Sequence, residues 1–401
     1  MNSAFNLKFF CATFFSKKVA GISKKIKIFK LKEIDKNKIE RIMILGAVGI
    51  GNLLLFSPAL KAIRREFPNA RITLIVLGDS FKYLYEDSDE VDEIMVVEQK
   101  KHPKISDKIR LILQLRKKKF NLSITTFPSN RFEYNLLPFL SGAKYRIAHK
   151  YPLKYLRSLS FLQNFKIQVD MNVHDLEQNL NLLKPLDIDS VIEKKIFFKI
   201  SNDNRKKALE VLHERGLNNN KTILGFHPGS SVERGMYFKR WEAEKFAELG
   251  KRLIEKFGLN ILIFGGQEEN TIKEDIQCLI GDGSFVVSEL SLKDTAALIE
   301  KCRLFVSNDS GLMHIAVAVD VKTIAIFGPS DPLRTAPYGN EHVIIRKKVE
   351  CSPCWSIKNL GVGKVKCKYN QNICMEKIEV DEVFDAVCKF LGNKNYNKTE
   401  L

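Results

Sequence analysis

The chain has 401 residues, of which 45% are hydrophobic and 28% are charged, and its formal net charge at pH 7 is +18. This composition excludes a disordered chain and suffices for two ordinary cores, while no run approaches the roughly 18 apolar residues of a membrane-spanning helix. The positive charge favours anionic partners. We find no recognised nucleic-acid-binding motif, so nucleic acid is not an expected partner.

The segment 1–38 interleaves aromatic and basic side chains. Its phenylalanines and lysines include Phe5, Phe9, Phe10, Phe14, Phe15, Lys17, Lys18, Lys24 and Lys25. Aromatic residues beside lysine clusters suit the interface of an anionic membrane. Because the lysines interrupt and follow the phenylalanines, a cleaved secretory signal is not expected. The segment is predicted to be either a membrane-surface anchor or a solvated basic tail.

The residues 39–186 read as a first α/β domain. A strand at Ile42–Leu45, a helix at Pro58–Phe67 and a strand at Arg71–Leu77 alternate along the chain. Between the first strand and the helix lies Gly49-Ile50-Gly51-Asn52, which is typical of a tight turn because glycine and asparagine tolerate left-handed conformations. The segment 187–202 is the predicted crossing to a second domain.

The residues 203–345 read as a second domain of the same class. The predicted strands are Thr222–Phe226, Asn260–Phe264, Leu304–Val306 and Thr323–Phe327, and the predicted helices are Glu242–Phe257, Leu292–Cys302 and Leu312–Val319. Strands that alternate with helices favour a parallel sheet. The remaining residues 346–401 hold a cysteine-rich segment and a final helix at about Ile378–Phe390.

The run Asn308–His314 joins a predicted strand to a predicted helix. A helix start presents unpaired N–H groups with partial positive charge, and Gly311 allows an anion to approach the backbone. His314 lies one turn after Ser310, so it can reach the same anion. The run predicts either a phosphate-binding turn or an ordinary turn with a capping serine and a core histidine.

Polar or glycine-rich loops follow two further strands. They are His227-Pro228-Gly229-Ser230-Ser231, with Lys239-Arg240-Trp241 beyond it, and Gly265-Gly266-Gln267-Glu268-Glu269. Ligands of open α/β sheets bind at the carboxyl ends of the strands, so these loops are expected to converge on one site. Lys239 would supply a full charge and Ser230 and Ser231 hydroxyl donors, although Lys239 could also be a solvated lysine at a helix start.

Four motifs occur in one order along the chain. They are Gly49–Asn52 with Ser57–Leu60, His227–Ser231 with Lys239–Trp241, Asp309–His314, and Phe327–Pro332. In these motifs the chain resembles glycosyltransferase family nine, the group typified by the ADP-heptose:lipopolysaccharide heptosyltransferases. The resemblance implies the GT-B architecture, in which two Rossmann-like domains face each other across a cleft, and it fits this family better than other GT-B enzymes such as sugar-nucleotide epimerases.

The resemblance also implies roles for individual residues. A nucleotide-sugar donor would be bound by Ser230, Ser231, Lys239, Gln267, Glu268, Asp309, Ser310, Gly311 and His314. Of these, Gln267 or Glu268 would lie near the ribose, and Asp309 and His314 near the sugar and diphosphate. Lys239, Asp309 and His314 are expected to take part in catalysis. No cofactor would be required, because positive charge for the leaving diphosphate comes from the protein.

Asn52 departs from the family pattern. Relatives usually carry an aspartate there, taken to be the base that activates the acceptor, and an amide cannot be that base. Asp79, Glu133 and His149 are other candidates in the first domain. The alternatives are that proton removal is late and needs no base, or that the protein no longer transfers sugar.

Acceptor specificity is expected in the loops of residues 123–151. Four basic residues there could meet acceptor phosphates: Arg131, Lys144, Arg146 and Lys150.

Four cysteines lie close together near the end of the chain: Cys351, Cys354, Cys367 and Cys374. One Cys-x-x-Cys pair with two further cysteines is consistent with a structural zinc site, with free buried thiols or with disulfides. A reducing cytoplasm favours thiols or metal over disulfides.

The sequence thus predicts an inverting, metal-independent glycosyltransferase. It would move a heptose or related sugar, with ADP-heptose the expected donor, to a lipopolysaccharide core or a related lipid-linked or oligosaccharide acceptor. The enzyme would be cytoplasmic and peripheral on the anionic inner-leaflet surface of the inner membrane. The alternative is a non-catalytic GT-B protein that binds nucleotide sugar or anionic glycolipid, which Asn52 favours.

Overall fold

The computed structural model describes residues 31, 33–46, 49–97, 104–151, 159–188, 193–217, 221–231, 233–355, 367–369 and 371–392. The chain divides into two compact units. The first ends at Glu193 and the second begins at Lys194, except that Asn172–His174 belong to the second. Almost all of the segment 1–38, with its predicted membrane anchor, lies outside the described residues.

The first unit is built on a six-stranded parallel sheet of order β3-β2-β1-β4-β5-β6. Its strands are β1 Arg41–Leu45, β2 Arg71–Val76, β3 Glu93–Val96, β4 Leu122–Thr125, β5 Tyr145–Lys150 and β6 Phe165–Gln168. The central strands are nearly continuous apolar runs, because helices cover both faces of a parallel sheet. The sheet order places β1, the strand before Asn52, between β2 and β4.

The helices of the first unit follow the strands in alternation. They are α1 Ile50–Leu54, α2 Ser57–Glu66, α3 Ile105–Lys117, α4 Glu133–Leu140 and α5 Asp175–Asn181. Helix α3 buries Leu111 and Leu115 in a core that includes Met43 and Ile75 of the sheet. These two leucines are four residues apart, so they share one face of the helix.

The second unit repeats the plan with the order β12-β11-β10-β7-β8-β9. Its strands are β7 Ile223–His227, β8 Asn260–Ile263, β9 Ser284–Val286, β10 Leu304–Asn308, β11 Thr323–Phe327 and β12 Val343–Arg346, all paired in parallel. The predicted α/β fold with two Rossmann-like units is therefore confirmed.

The helices of the second unit enclose its sheet. They are α6 Asn202–Glu214, α7 Ala243–Phe257, α8 Asn270–Ile280, α9 Leu292–Glu300, α10 Gly311–Ala318, α11 Pro332–Thr335, α12 Ile373–Glu376 and α13 Val380–Gly392. Trp241 is fully buried, and its indole N–H donates to the carbonyl of Ile378 at 3.0 Å. Val383 and Val387 of α13 share this core, so the final helix is part of the second unit.

Candidate functional site

The carboxyl ends of β7 and β10 are held together by one buried amide. Asn308, the last residue of β10, donates its side-chain N–H to the carbonyl of Pro228 at 2.7 Å and accepts from the backbone N–H of Trp241 at 3.1 Å. Because β7 and β10 are neighbours in the sheet, this amide fixes the loop after β7 and the segment that carries Lys239 against the end of β10. Asn308 therefore brings these segments together, while their convergence on one ligand-binding site stays a prediction.

Lys239 and Asp309 form an ion pair in this edge. Their charged atoms, Nζ and Oδ2, are 2.6 Å apart, and the side chains are only 14% and 7% exposed. Burial by itself raises the pKa of Asp309, but the charge and hydrogen bond of Lys239 outweigh burial and hold that pKa below its usual range. Asp309 is therefore ionised at neutral pH and orients the ammonium group of Lys239.

Helix α10 begins beside this pair. Ser310 is its N-cap, and the hydroxyl oxygen accepts from the backbone N–H of Met313 at 3.3 Å. The same hydroxyl lies 2.8 Å from Nδ1 of His227. The helix start therefore combines partial positive charge with a neighbouring lysine, which is the combination that binds phosphate.

His314 lies on the first turn of α10 and is fully enclosed. Burial lowers its pKa to about 4, although Asp309 opposes this effect, so the imidazole is neutral at physiological pH. Its Nδ1 atom is buried and has no hydrogen-bond partner in the described part of the chain. His314 is therefore uncharged at neutral pH and has one ring nitrogen that no described residue engages, and its predicted contact with a donor stays a prediction.

Glu269 is a buried carboxylate at this edge to which the sequence analysis assigned no role of its own. It is buried, and its carboxylate accepts from the backbone N–H of Gly266 at 2.9 Å and lies 3.2 Å from Nε2 of His227 and 3.5 Å from Nη2 of Arg240. Burial raises the pKa of Glu269, but His227, Gly266 and Arg240 together lower it to about 2. The carboxylate therefore links the loops that follow β7 and β8.

Gly229 is required by this arrangement. A Cβ atom at position 229 would overlap the carboxylate of Glu269. The glycine in His227-Pro228-Gly229 indicated that another group approaches the backbone closely at this position. That this group is the carboxylate of Glu269 depends on the fold. The neighbouring Gln267 and Glu268, predicted to lie near a ribose, are both exposed at the carboxyl end of β8.

The two predicted serine donors differ in their surroundings. Ser230 is buried, and its hydroxyl donates to the carbonyl of Met236 at 3.0 Å. Because the hydroxyl proton is used in this loop, the hydroxyl oxygen can act only as an acceptor towards a ligand. Ser231 is exposed. Their predicted role in donor binding stays a prediction, with Ser231 placed more openly than Ser230.

In the first unit, three candidate side chains follow three adjacent strands. Asn52 follows β1, Asp79 follows β2 and Glu133 follows β4. Gly49 has φ +115°, a backbone conformation that favours glycine, and it starts the turn that places Asn52 on α1. These three residues therefore share the carboxyl edge of the first sheet.

The candidate bases at this edge are held differently. Glu133 is 13% exposed and bonds Arg131 at 2.8 Å through Oε1, while Oε2 is buried without a hydrogen-bond partner among the described residues. Asp79 is 49% exposed and lies 3.8 Å from Lys82. His149 is fully buried within β5, and burial lowers its pKa to about 3, so it is both enclosed and a weak base.

The four basic residues predicted for acceptor phosphates are separated by the sheet. Arg131 and Lys150 lie at its carboxyl edge, but Lys144 precedes β5 and Arg146 is its second residue. The guanidinium of Arg146 donates to the carbonyls of Leu162 at 3.0 Å and Ala143 at 2.6 Å. Because β5 is parallel to its neighbours, Lys144 and Arg146 lie at the opposite, amino edge of the sheet. Contact of these four residues with acceptor phosphates stays a prediction.

The four clustered cysteines line one cavity, together with Lys239 and Trp355. None of the four forms a disulfide within the described ranges. Burial raises the pKa of Cys354, and it raises the pKa of Cys374 to about 11. Within the described ranges no three histidine, cysteine or acidic side chains are arranged as a metal-binding group, so the zinc site stays a prediction.

Across the part of the chain that the structure describes, no helix combines the length and apolar character needed to cross a bilayer.

The fold and this edge define a class: a two-domain α/β protein with a buried lysine–aspartate pair beside a serine-capped helix start at the carboxyl end of its second sheet. Residues 108–362 match the model of glycosyltransferase family 9 (heptosyltransferase). This is more than half of the chain, and the chain belongs to that family.

Individual relatives match most of the length of this chain. The lipooligosaccharide heptosyltransferase 2 of Campylobacter jejuni is 25% identical over 351 residues, covering 85% of this chain and 96% of that protein. The solved E. coli ADP-heptose lipopolysaccharide heptosyltransferase II has a TM-score of 0.69 at 19% identity, covering 89% of this chain and 100% of that one. An E. coli heptosyltransferase solved with ADP-2-deoxy-2-fluoro heptose has a TM-score of 0.62 at 17% identity, with coverages of 87% and 99%.

Proposed function

We propose that this protein is an inverting glycosyltransferase that moves a heptose or related sugar from ADP-heptose to a lipopolysaccharide core or related glycan. The single observation that carries the proposal is the buried pair Lys239–Asp309 beside the start of α10. The family, and the ADP-heptose analogue bound by a relative of the same fold, support the choice of donor.

In the proposed reaction, the second unit stabilises the departing diphosphate. Negative charge develops on the diphosphate as the bond to the sugar breaks, and preorganised donors stabilise it without reorganisation. Lys239 supplies a full charge, the N–H groups at Ser310 and Gly311 supply oriented dipoles, and neutral His314 supplies a hydrogen bond. With this charge provided by the chain, transfer requires no metal cofactor, so added Mg²⁺ or Mn²⁺ should leave the initial rate unchanged.

Glu133 is the proposed base for the acceptor hydroxyl. Asn52 cannot accept a proton usefully, His149 is enclosed, and Asp79 is half exposed. Glu133 combines burial with one carboxylate oxygen that has no hydrogen-bond partner in the described ranges, while Arg131 orients the other. A base needs an oxygen with an unengaged lone pair. Oε2 of Glu133 has one, but the atom is buried, so the proposal requires the side chains that cover it to move when the acceptor binds.

A screen of nucleotide sugars tests the proposed transfer. The purified protein would be incubated with ADP-, UDP- and GDP-linked sugars and a heptose-accepting core oligosaccharide, and products would be identified by mass spectrometry. Added mass on the acceptor with the ADP-linked donor is the expected result. Binding of ADP without transfer from any donor would instead favour the non-catalytic alternative, for which Asn52 is the supporting observation.

A structural zinc at the four cysteines is a further part of the proposal. The thiols line one cavity next to Lys239, and burial keeps Cys374 protonated unless a metal displaces the proton. Zinc content of the purified protein would be measured by plasma mass spectrometry, with the C374S variant as comparison. One zinc per chain that falls in C374S is expected, and a metal-free wild type would refute the site.

The proposed location is the cytoplasmic face of the inner membrane, with peripheral attachment. The supporting observations are the lipopolysaccharide acceptors named for its relatives and the basic aromatic segment 1–38.

A further inference from the structure

Helix α3 has an apolar stripe that the core does not use. Its buried face is formed by Leu111 and Leu115. Ile105, Ile109 and Leu113 are 58%, 48% and 54% exposed. Because they recur every four residues, these three side chains form one continuous stripe on the outer surface of the helix.

Basic residues flank this stripe. Residues 104–119 hold seven basic side chains and one acidic side chain, namely Lys104, Lys108, Arg110, Arg116, Lys117, Lys118, Lys119 and Asp107. At 100° per residue, Arg110 and Lys117 lie along one margin of the stripe and Lys108 along the other. An exposed aliphatic stripe between basic margins is typical of a helix that lies in a membrane interface.

A basic cavity lies at the C-terminal end of the same helix. It has a volume of about 510 Å³, and its lining includes Arg41, Arg71, Lys117 and Lys118. Its acidic side chain, Glu93, is engaged by Lys118 at 2.5 Å and by Arg71 at 3.6 Å. The cavity therefore keeps an excess of positive charge, and it lies at the amino edge of the first sheet, away from Asn52 and Glu133.

We propose that the α3 surface, formed by Ile105, Ile109, Leu113 and their basic flanks, docks on an anionic phospholipid bilayer. The aliphatic side chains enter the boundary between headgroups and acyl chains, and the basic side chains contact lipid phosphates. The cavity beside Lys117 accommodates one headgroup phosphate. This contact goes beyond the proposed transfer reaction, since it uses no residue of the donor site and no residue of the segment 1–38.

Charge complementarity favours a membrane over a second copy of the chain. Two copies meeting through this helix would bring their basic flanks together, and like charges across an interface disfavour association. An anionic bilayer instead neutralises the flanks while it buries the stripe. The energy of such binding grows with buried apolar area and with each basic residue near the surface.

The test uses the full chain and vesicles of phosphatidylglycerol mixed with phosphatidylcholine. The variant I109E/L113E is compared with the control L209E/L279E, whose residues are 53% and 44% exposed on helices of the second unit. Exposed positions tolerate such changes, and unchanged thermal unfolding would verify it. We expect I109E/L113E to weaken vesicle binding at least about tenfold and the control to bind like wild type.

A second arm examines the charges. R110E/K117E should weaken binding and flatten its dependence on salt, whereas K206E/K251E, which changes exposed lysines of the second unit, should not. Wild type should bind vesicles of phosphatidylcholine alone far more weakly.

Wild-type binding by I109E/L113E would overturn the proposal, because the segment 1–38 would then account for attachment. Equal loss in the control would also overturn it. The proposal would also be overturned if I109E/L113E lost self-association, measured by light scattering, without a change in vesicle binding.

Discussion

The carboxyl edges of the two sheets are built differently. In the second unit, Lys239, Asp309 and Glu269 are buried and each charge is held by a partner from another element. In the first unit, Asp79 is half exposed, Asn52 carries no charge, and Glu133 has one engaged and one unengaged oxygen. Preorganised charges stabilise a leaving diphosphate without reorganisation, whereas the more open edge of the first sheet is the one where we propose that the acceptor binds.

Among the tests of this comparison, substitution of Glu133 is expected to have the largest effect. The variant E133Q should lower kcat by about 10² to 10⁴-fold, the usual contribution of a general base, and leave ADP affinity unchanged. D79N is the matched control and should stay near wild-type activity. Rates would be measured by ADP release under saturating donor.

The reciprocal change at Asn52 sharpens the assignment of the base. If Glu133 is the base, N52D should be neutral or harmful, since a second carboxylate at the same edge would repel the charge of the first. An increase in kcat with N52D, together with an unchanged rate in E133Q, would show instead that this chain lacks a base at position 52.

Glu269 predicts a pH dependence of stability. Its pKa is about 2 in the folded protein, against an ordinary value of 4.5 for a glutamate. A lowered pKa contributes stability that is present above the unfolded value and is lost as pH falls through the folded value. We expect wild type to lose about 3 kcal/mol between pH 4.5 and pH 2 through this group.

The measurement is urea unfolding followed across that pH range, with E269Q as the comparison. E269Q should be less stable than wild type at pH 6, and the difference should shrink towards pH 2. A constant difference at every pH would mean that the side chain acts through packing alone.

Lys239 gives the next effect. K239A should weaken ADP binding by about 1.5 to 3 kcal/mol, the contribution of a charge-assisted hydrogen bond, measured by calorimetry. It also leaves Asp309 buried without its cation, so K239A/D309N should recover thermal stability but not ADP affinity. Unchanged affinity in K239A would indicate that the pair is structural.

Ser310 gives the smallest effect. S310A removes the N-cap of α10, and it should lower the free energy of unfolding by about 1 kcal/mol. S310T keeps a hydroxyl and should recover most of that loss. Urea unfolding at neutral pH distinguishes them, and equal stability of S310A and wild type would show that the cap is dispensable.

Much of the fold could be predicted from the sequence, because the strands of parallel sheets are continuous apolar runs. The helix predicted at Pro58–Phe67 is Ser57–Glu66, and that predicted at Leu312–Val319 is Gly311–Ala318. Short edge strands such as Glu93–Val96 were not predicted, since their four residues are only half buried and leave no strong pattern.

The sequence by itself determined the two α/β units and the motifs that follow their strands, because periodicity and glycine placement are local properties. Only the tertiary structure decided which charges meet. The pairing of Lys239 with Asp309, the enclosure of His314 and the role of Glu269 depend on strand order and on burial, which bring together residues far apart in the chain. The exposed stripe of α3 could not be predicted for the same reason. The sequence shows which residues are apolar, but not whether they face the core or the solvent.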